Sequence, residues 1–408
     1  MRPTSELSTA PPLAHDMRYD SALLLSLSLL ALEFSANALD SLDFSQSADL
    51  EAGYSHSRTL DTNAFDRNPD GSTFIWLPED EYSGKTFFDG FAFFTGQDPT
   101  NGRVDYVTST YAFQNNLSYV EDDGVVIMKG DNTSWLQDGE NRKSVRISSY
   151  KQYNTGLFIL DINKAPWGCA VWPAFWTLGG GKWPDTGEID IIEGVHDNQH
   201  NQVAWHTAPG CHLNPNSSFT GTVVVGKAGN NTNCDGNVND NAGCGVTEWS
   251  RASYGPLFDQ QGGGVFAMKW DENGIAIWSF FRAAVPQDVV ANAPNPSLWG
   301  RPSASLDPAL CDPIAFFRNH SIIFDITFCG DWAGNSYTTS GCPGTCQDRL
   351  KDPNNFTNAT WSINHLRVYR KQLVNGRVSA TATSNLTSHN SYWNWVLIVI
   401  MLGTLAGL

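Results

Sequence analysis

The sequence predicts an all-β protein whose strands form an antiparallel sandwich or barrel. Short segments rich in β-branched and aromatic residues recur along the chain, separated by Gly, Pro and Asn turns, a composition typical of strands joined by tight turns. Sustained helical periodicity is absent from the sequence. Asn273-Gly274 separates two apolar runs, which is a strong hairpin signal. These observations favour an antiparallel architecture over a βαβ fold.

The predicted strands lie within one continuous domain. Composition stays even from Leu39 to about Lys371, with no internal repeat and no long Pro/Ser linker, so we assign residues 39–371 to a single domain. In chain order the strands are Ser144–Ser148, Gly156–Ile162, Gln202–Thr207, Val265–Trp270, Gly274–Phe281, Ser321–Phe328 and Ile363–Tyr369.

The charge balance limits the classes of partner. The chain has 25 Lys and Arg against 42 Asp and Glu, a formal net charge of −17. This is the wrong sign for binding a polyphosphate, so we expect no nucleic-acid partner. Charged residues make up only 16% of a chain that contains 36 Gly and 15 Trp, which disfavours coiled coil, collagen and wholesale disorder.

The N-terminus has the pattern of a secretory signal. An apolar run from Ala22 to Leu32 is too short to span a bilayer and is followed by Ala36-Asn37-Ala38. We therefore assign residues 1–38 to a signal peptide cleaved after Ala38. The stretch before the run is long and polar, whereas Met17-Arg18 would begin an ordinary signal, so Met17 is an alternative start.

The C-terminus resembles a glycolipid-anchor signal. The tail at 393–408 is apolar and uncharged, and it follows a Ser/Thr/Asn-rich stalk at 372–392. Ala382-Thr383-Ser384 supplies the small residues that precede the spacer of such a signal. The alternative is a membrane-spanning helix, which usually needs about 20 apolar residues and a flanking basic segment. We expect a secreted protein attached to the outer plasma membrane or cell wall through a GPI anchor.

Cysteines and sequons agree with export. An even number of cysteines behind a secretion signal predicts disulfides, with 105 possible pairings for eight residues; zinc binding is the alternative. The cysteines are Cys169, Cys211, Cys234, Cys244, Cys311, Cys329, Cys342 and Cys346, and the sequons begin at Asn116, Asn132, Asn216, Asn230, Asn319, Asn355, Asn358 and Asn385.

One predicted strand carries three carboxylates among three isoleucines. Glu188 and Asp190 share a face because side chains alternate with a period of two, but Glu193 would point to the opposite face. One extra residue at Ile191 or Ile192 would return Glu193 to the first face. Since bulges recur beside active sites and re-aim side chains, we predict a bulge there.

This carboxylate pattern suits glycoside hydrolysis. No basic residue lies between Trp183 and Val195, so mutual repulsion and partial burial should raise at least one pKa. A retaining glycosidase needs a nucleophilic carboxylate and an acid/base carboxyl about 5–5.5 Å apart, which Glu188 and Glu193 could provide with Asp190 orienting the nucleophile. The alternatives are a solvated acidic edge strand or calcium ligation by the same oxygens.

The segment Trp172-Pro-Ala-Phe-Trp-Thr-Leu-Gly-Gly-Gly-Lys-Trp-Pro-Asp-Thr-Gly-Glu-Ile-Asp-Ile-Ile-Glu-Gly194 closely resembles the fungal laminarinase-like branch of glycoside hydrolase family 16. The resemblance extends from about Tyr82 to Tyr369. It implies a β-jelly-roll sandwich with a concave cleft and retaining endo-hydrolysis of β-1,3- or mixed β-1,3/1,4-glucans. By position, Glu188 is implied as the nucleophile, Asp190 as its assistant and Glu193 as the acid/base.

The resemblance also implies substrate-binding residues. Sugar rings need aromatic platforms and a few directed hydrogen bonds. For Trp176, Trp183 and Trp332 the alternative is packing in the core. For Arg146 the alternative is a solvated position, and for His206 it is a structural role. Asp105 stands at a position where relatives carry Asn. The set is Trp176, Trp183, Trp332, Arg146, His206 and Asp105.

Three functions compete at this stage. An endo-β-glucanase leads, and a cell-wall transglycosylase is the alternative, although family transglycosylases usually carry the shorter Glu-x-Asp-x-Glu spacing. A noncatalytic glucan-binding protein would tolerate the loss of either glutamate. We expect a monomer whose partner is β-glucan, with no cofactor and no catalytic metal, and with a structural calcium ion as an open alternative.

Overall fold

The computed structural model describes residues 65–227 and 229–374. The predicted signal peptide, the GPI-type tail, most of the stalk and the Asn385 sequon lie outside these residues. Within the described part of the chain, no helix is both long enough and apolar enough to cross a bilayer.

Strands dominate this part of the chain. The first twelve are β1 (Asp66–Arg67), β2 (Thr73–Ser83), β3 (Phe91–Phe93), β4 (Val104–Tyr106), β5 (Ser118–Val120), β6 (Val126–Lys129), β7 (Arg142–Ser144), β8 (Arg146–Tyr153), β9 (Gly156–Lys164), β10 (Val171–Gly179), β11 (Glu188–Glu193) and β12 (Gln202–His206). They are followed by β13 (Thr222–Val223), β14 (Val225–Gly226), β15 (Gly229–Asn230), β16 (Cys244–Thr247), β17 (Gly264–Asp271), β18 (Gly274–Phe281), β19 (Ala304–Leu306), β20 (His320–Phe328) and β21 (Thr360–Leu373).

The helices are short, as the missing helical periodicity predicts. They are α1 (Ser109–Gln114), α2 (Gly255–Gln260), α3 (Gln287–Val290), α4 (Pro313–Phe316) and α5 (Cys346–Arg349). Short 3₁₀ segments occupy Gly84–Gly90, Asn239–Asn241, Arg282–Ala284, Pro296–Leu298, Tyr337–Thr339 and Pro353–Phe356, and Gly330–Gly334 forms a π turn.

Two antiparallel sheets build the sandwich. One has the order β1-β2-β21-β9-β17-β18-β19, with β6 on β21 and β5 on β6. The other has the order β13-β16-β12-β11-β10-β20-β8-β3. The two short pairs outside these sheets are β14 with β15 and β4 with β7, the latter parallel. The all-β prediction is confirmed, and the curled sheets have the form of a β-jelly-roll sandwich.

The main core fills the space between the two sheets. Phe175 on β10 stacks on Phe324 on β20 with ring centroids 4.6 Å apart. Phe324 also packs edge-on against Trp361 of β21, in the opposite sheet, at 5.6 Å. These side chains are at most 1% exposed, so aromatic packing joins the layers.

The predicted strands are observed, with one difference. The segment Ser144–Ser148 is not one strand: β7 ends at Ser144, where it pairs with β4, and β8 begins at Arg146 in the eight-stranded sheet. Val145 between them is fully buried. The hairpin at 269–275 is present, and Gly274 begins β18 as predicted, paired with Asp271 across a turn at Glu272-Asn273.

The eight cysteines form four disulfides, as predicted. The bonds join Cys169 to Cys342, Cys211 to Cys311, Cys234 to Cys244 and Cys329 to Cys346. All eight cysteines are therefore paired, and this bonding accounts for them without zinc.

Candidate active site

A β-bulge lies in the carboxylate strand where the sequence predicts it. On β10, Ala174 lies opposite Glu193 and Phe175 opposite Ile192, whereas Trp176 lies opposite Asp190. Ile191 is therefore the extra residue. Ile191 and Ile192 are both fully buried in the main core, so the bulge places two successive side chains inside.

The bulge brings the three carboxylates onto one face of the sheet. The residues opposite them on β10, namely Leu178, Trp176 and Ala174, form an apolar cluster with Ile323 that is separate from the main core. Directly opposed residues of an antiparallel pair lie on the same face. Glu188, Asp190 and Glu193 therefore share the outer face of the eight-stranded sheet.

His206 on β12 lies directly opposite Glu188. Its Nε2 is 3.3 Å from Asp190 Oδ2. Burial alone would lower the pKa of the imidazole, but the contact with Asp190 and the negative charges of Glu188 and Glu193 outweigh it and raise the pKa of His206 to about 9. At neutral pH this histidine is a cation within the carboxylate cluster.

Glu188 receives a hydrogen bond from Trp183, whose Nε1 donates to Oε2 over 2.7 Å. Burial, followed by the charge of Asp190, raises the pKa of Glu188 to about 7, while His206 and the indole donor oppose that rise. Trp183 remains 37% exposed. Its indole therefore donates a hydrogen bond to the carboxylate and also presents an accessible ring, as expected for a residue on which a sugar stacks.

Glu193 has a different partner that the sequence analysis missed. Trp172 Nε1 donates to Glu193 Oε1 over 2.8 Å, and the Trp172 ring packs edge-on against Trp332 at 5.8 Å. Burial, followed by repulsion from Asp190, raises the pKa of Glu193 well above its ordinary value. Since β10 places every second residue on the outer face, the spacing of Trp172, Ala174 and Trp176 could have identified this donor.

Arg146 and Trp176 form a packed floor beside the carboxylates. The Arg146 guanidinium lies 4.9 Å from the Trp176 ring and 4.7 Å from the Phe94 ring. Trp176 Nε1 donates to Asp325 Oδ2 over 3.1 Å, and Trp176 is only 8% exposed. Burial is the main reason that the pKa of Asp325, a residue the sequence analysis missed, rises to about 7. Trp176 thus offers little ring surface to a sugar.

Asp105 lines a pocket that contains none of the three carboxylates. It is exposed on β4, and Asn141 Nδ2 donates to its Oδ1 over 3.1 Å. It lines a polar pocket of about 580 Å³ whose other residues include Gln97, Asp98 and Arg103 but none of the three carboxylates. The structure therefore groups eight of the nine predicted residues on or around the outer face, whereas Asp105 lines a pocket whose walls include none of the carboxylates.

Glu188, Asp190 and His206 could also hold a metal ion. One ligand atom from each lies within 4.8 Å of the others. However, an imidazole must be neutral to bind a metal, and the raised pKa of His206 opposes this. Calcium takes 6–8 oxygen ligands, more than this cluster supplies. The donor set fits paired-carboxyl chemistry better than metal binding.

A family model described as an XgeA-like, catalytic GH16 domain matches residues 91–369. A probable glycosidase of Schizosaccharomyces pombe is 42% identical over 75% of this chain and 72% of its own length. An endo-1,3(4)-beta-glucanase of Arthroderma benhamiae is 41% identical over 72% of this chain and 65% of its own. The endo-1,3(4)-beta-glucanase xgeA of Emericella nidulans is 36% identical over 72% of this chain and 47% of its own length. The chain thus spans only part of these relatives.

Solved structures show the same fold. GH16 laminarinase 16A from Phanerochaete chrysosporium, with 6-O-glucosyl-laminaritriose in both donor and acceptor sites, is 39% identical with a TM-score of 0.69 and covers 72% of this chain and 100% of its own. An elongating GH family 16 beta-1,3-glucosyltransferase is 38% identical with a TM-score of 0.66, at the same coverage.

Proposed function

The chain belongs to glycoside hydrolase family 16, and from this premise we propose that it is a retaining endo-hydrolase of β-1,3- and mixed β-1,3/1,4-glucans. Glu188 is the nucleophile and Glu193 the acid/base. One observation carries the proposal: the Ile191 bulge brings both glutamates onto one face, each with its own indole donor.

The two carboxyls are suited to opposite protonation states. Glu188 has the cationic His206 directly across the strand pair in addition to the Trp183 donor. Burial and the charge of Asp190 also raise the pKa of Glu193 well above its ordinary value, and the cation faces Glu188 rather than Glu193 across the strand pair, so the shared proton is favoured on Glu193. When two neighbouring carboxyls compete for one proton, the group with the higher pKa keeps it. Glu193 is therefore the acid and Glu188 the ionised nucleophile.

The reaction follows from these states. Glu188 attacks the anomeric carbon while Glu193 gives its proton to the glycosidic oxygen; the C–O bond breaks and a glycosyl ester forms. Glu193, now ionised, takes a proton from water as the water oxygen attacks the same carbon. The ester bond then breaks and frees Glu188, so the configuration at the anomeric carbon is retained. Two carboxyls complete this cycle without a cofactor.

Sugar binding is supported by aromatic surface next to the carboxylates. Trp183 is partly exposed and bonded to the nucleophile, and Trp332 lies against the Trp172 ring that bonds the acid/base. Rings beside the carboxylates offer apolar faces on which a glucosyl ring can stack. The two relatives named as endo-1,3(4)-beta-glucanases and the glucan-bound laminarinase support β-glucan as the substrate.

Incubation of the purified protein with laminarin and lichenan tests the proposal. We expect internal cleavage to shorter oligosaccharides, and nuclear magnetic resonance of the first products should show the β-anomer. Glu188→Ala should abolish turnover in a folded protein, and added azide should restore formation of an α-glycosyl azide. An active Glu188→Ala enzyme would contradict the assignment of the nucleophile.

Transglycosylation is the second candidate. It is favoured by the similarity to an elongating beta-1,3-glucosyltransferase. In this reaction a glucan hydroxyl replaces water in the second step, so products longer than the substrate would identify it. Retention on insoluble glucan without any products would instead indicate a noncatalytic binding protein.

We propose that the protein is exported and held outside the cell by a GPI anchor. The supporting patterns are the apolar run near the N-terminus, the eight sequons and the small-residue site ahead of the apolar tail; the four disulfides agree with an oxidising compartment. A phosphatidylinositol-specific phospholipase should release the protein from cells. Protein that stays in the membrane after this treatment would contradict the anchor.

A further inference from the structure

A single asparagine completes the hydrogen bonding of the catalytic bulge. The ladder between β11 and β12 ends at the Asp190–Ala204 pair. Beyond that pair, the carboxamide of Asn201 takes the place of a neighbouring strand. Its Nδ2 donates to the Ile191 carbonyl over 2.8 Å, and its Oδ1 accepts from the Glu193 N–H over 2.9 Å.

This carboxamide is itself held in place. Asn201 is fully buried, its backbone N–H donates to Ser253 Oγ over 2.9 Å, and its carbonyl accepts from the Glu248 N–H over 2.8 Å. Donor and acceptor of a carboxamide lie in one plane at fixed separation, as in a peptide group. Asn201 can therefore fix the bulge geometry rather than follow it.

We propose that Asn201 is a positioning residue that sets the direction of the Glu193 side chain. The role rests on the proposed function, in which Glu193 is the acid/base. Asn201 bonds the extra residue of the bulge and the backbone of Glu193, so it controls the backbone rotation that aims this carboxyl at the glycosidic oxygen. Trp172 bonds only the end of the side chain.

The expected defect is specific to proton transfer. A misplacement of about 1 Å costs about 10²-fold in rate, and general acid catalysis contributes about 10²–10⁴-fold. Loss of the Asn201 bonds should therefore slow cleavage of a bond whose leaving oxygen needs a proton. It should barely affect a substrate whose leaving group departs as an anion, because that step uses only the nucleophile.

The test compares kcat/KM for two substrates, a laminari-oligosaccharide and 2,4-dinitrophenyl β-laminaribioside. For Asn201→Ala we expect a loss of about 10- to 100-fold on the first and under about 3-fold on the second. Asn201→Asp keeps the side-chain volume and the acceptor but loses the donor to the Ile191 carbonyl. We therefore expect kcat/KM to fall more for the laminari-oligosaccharide than for the dinitrophenyl substrate in this variant too. An incompletely folded preparation lowers both values by the same factor, so their ratio isolates the positioning effect.

Asn163→Ala is the matched control. Asn163 also has a carboxamide that both donates to and accepts from one neighbour, Asn364, over 2.9 Å each, but it lies on β9 of the other sheet. We expect it to leave the ratio unchanged.

The outcomes separate the two proposals. Equal losses on both substrates, or no loss on either, would overturn the positioning role while the proposed function stands. A wild-type protein that cleaves neither substrate would overturn the proposed function and the positioning role together.

Discussion

The two indole donors allow the roles of the two glutamates to be assigned from pH profiles. Trp172 donates to Glu193 and Trp183 donates to Glu188. A hydrogen bond to a carboxylate favours the ionised form and lowers its pKa, so removing the donor raises that pKa. In the proposed mechanism the acid limb of kcat/KM reports ionisation of Glu188 and the basic limb reports deprotonation of Glu193. Trp172→Phe should therefore move the basic limb upward, and Trp183→Phe should move the acid limb upward.

The size of the shift follows from the difference between two hydrogen bonds. A bond to a charged group contributes about 1.5–3 kcal/mol and a neutral one about 0.5–1.5 kcal/mol. The indole therefore stabilises the carboxylate over the carboxylic acid by about 1 kcal/mol, which corresponds to about 0.7 pKa unit. Trp183 is 37% exposed, so water replaces part of its lost bond, and we expect about half that shift for Trp183→Phe.

The assay is kcat/KM on a laminari-oligosaccharide across the pH range at fixed ionic strength, for wild type and both variants. Phenylalanine keeps an aromatic ring at each position, so sugar stacking is largely preserved. If Trp183→Phe moves the basic limb and Trp172→Phe the acid limb, the roles of Glu188 and Glu193 are reversed. If neither limb moves, the indole bonds do not tune the carboxyls and the electrostatic argument fails.

Three further predictions concern the acid/base, the disulfides and metal ions. Glu193→Ala should lose activity on glucan but keep the first step on a dinitrophenyl glycoside, measured as the burst of released phenol; absence of a burst would argue against the assignment. Removing the Cys211–Cys311 disulfide, which links residues 100 apart, should cost about 5 kcal/mol of unfolding free energy, against about 3 kcal/mol for Cys234–Cys244, which are 10 apart; denaturant unfolding that gives the reverse order would contradict the loop-entropy argument. Dialysis against EDTA should leave glucan hydrolysis unchanged, whereas a loss restored by calcium would demonstrate a required ion.

The carboxylate strand shows which features of the site the local sequence pattern can predict. Side-chain alternation and the three isoleucines required an extra residue between Asp190 and Glu193, because the apolar residues need the core and the acids need the opposite face. The structure places that residue at Ile191. Strand propensity also located β12 and β20 of the same sheet, since β-branched and aromatic residues fit a half-buried pleated surface, but it did not locate β10.

Other features depended on contacts between distant segments. The family resemblance implied that Trp176 is a sugar platform, but its contacts with Asp325 and the Arg146 guanidinium leave the ring buried. Alternation along β10 places Trp172 on the outer face, but its bond to Glu193 also depends on how β10 and β11 pair. The strand assigned to Ser144–Ser148 breaks at Val145 because the chain passes there from one pair of strands to another sheet, which propensity does not encode.

By itself, the sequence determined the all-β class, from its many short β-branched and aromatic segments, and the need for a bulge, because plain alternation would put Glu193 on the face opposite Glu188. Only the tertiary structure decided which cysteines pair, which indole bonds which glutamate, and that Asn201 closes the bulge. Those facts depend on how strands far apart in the chain are brought side by side, and the order of strands in a sheet is set by packing of the whole core rather than by any one segment.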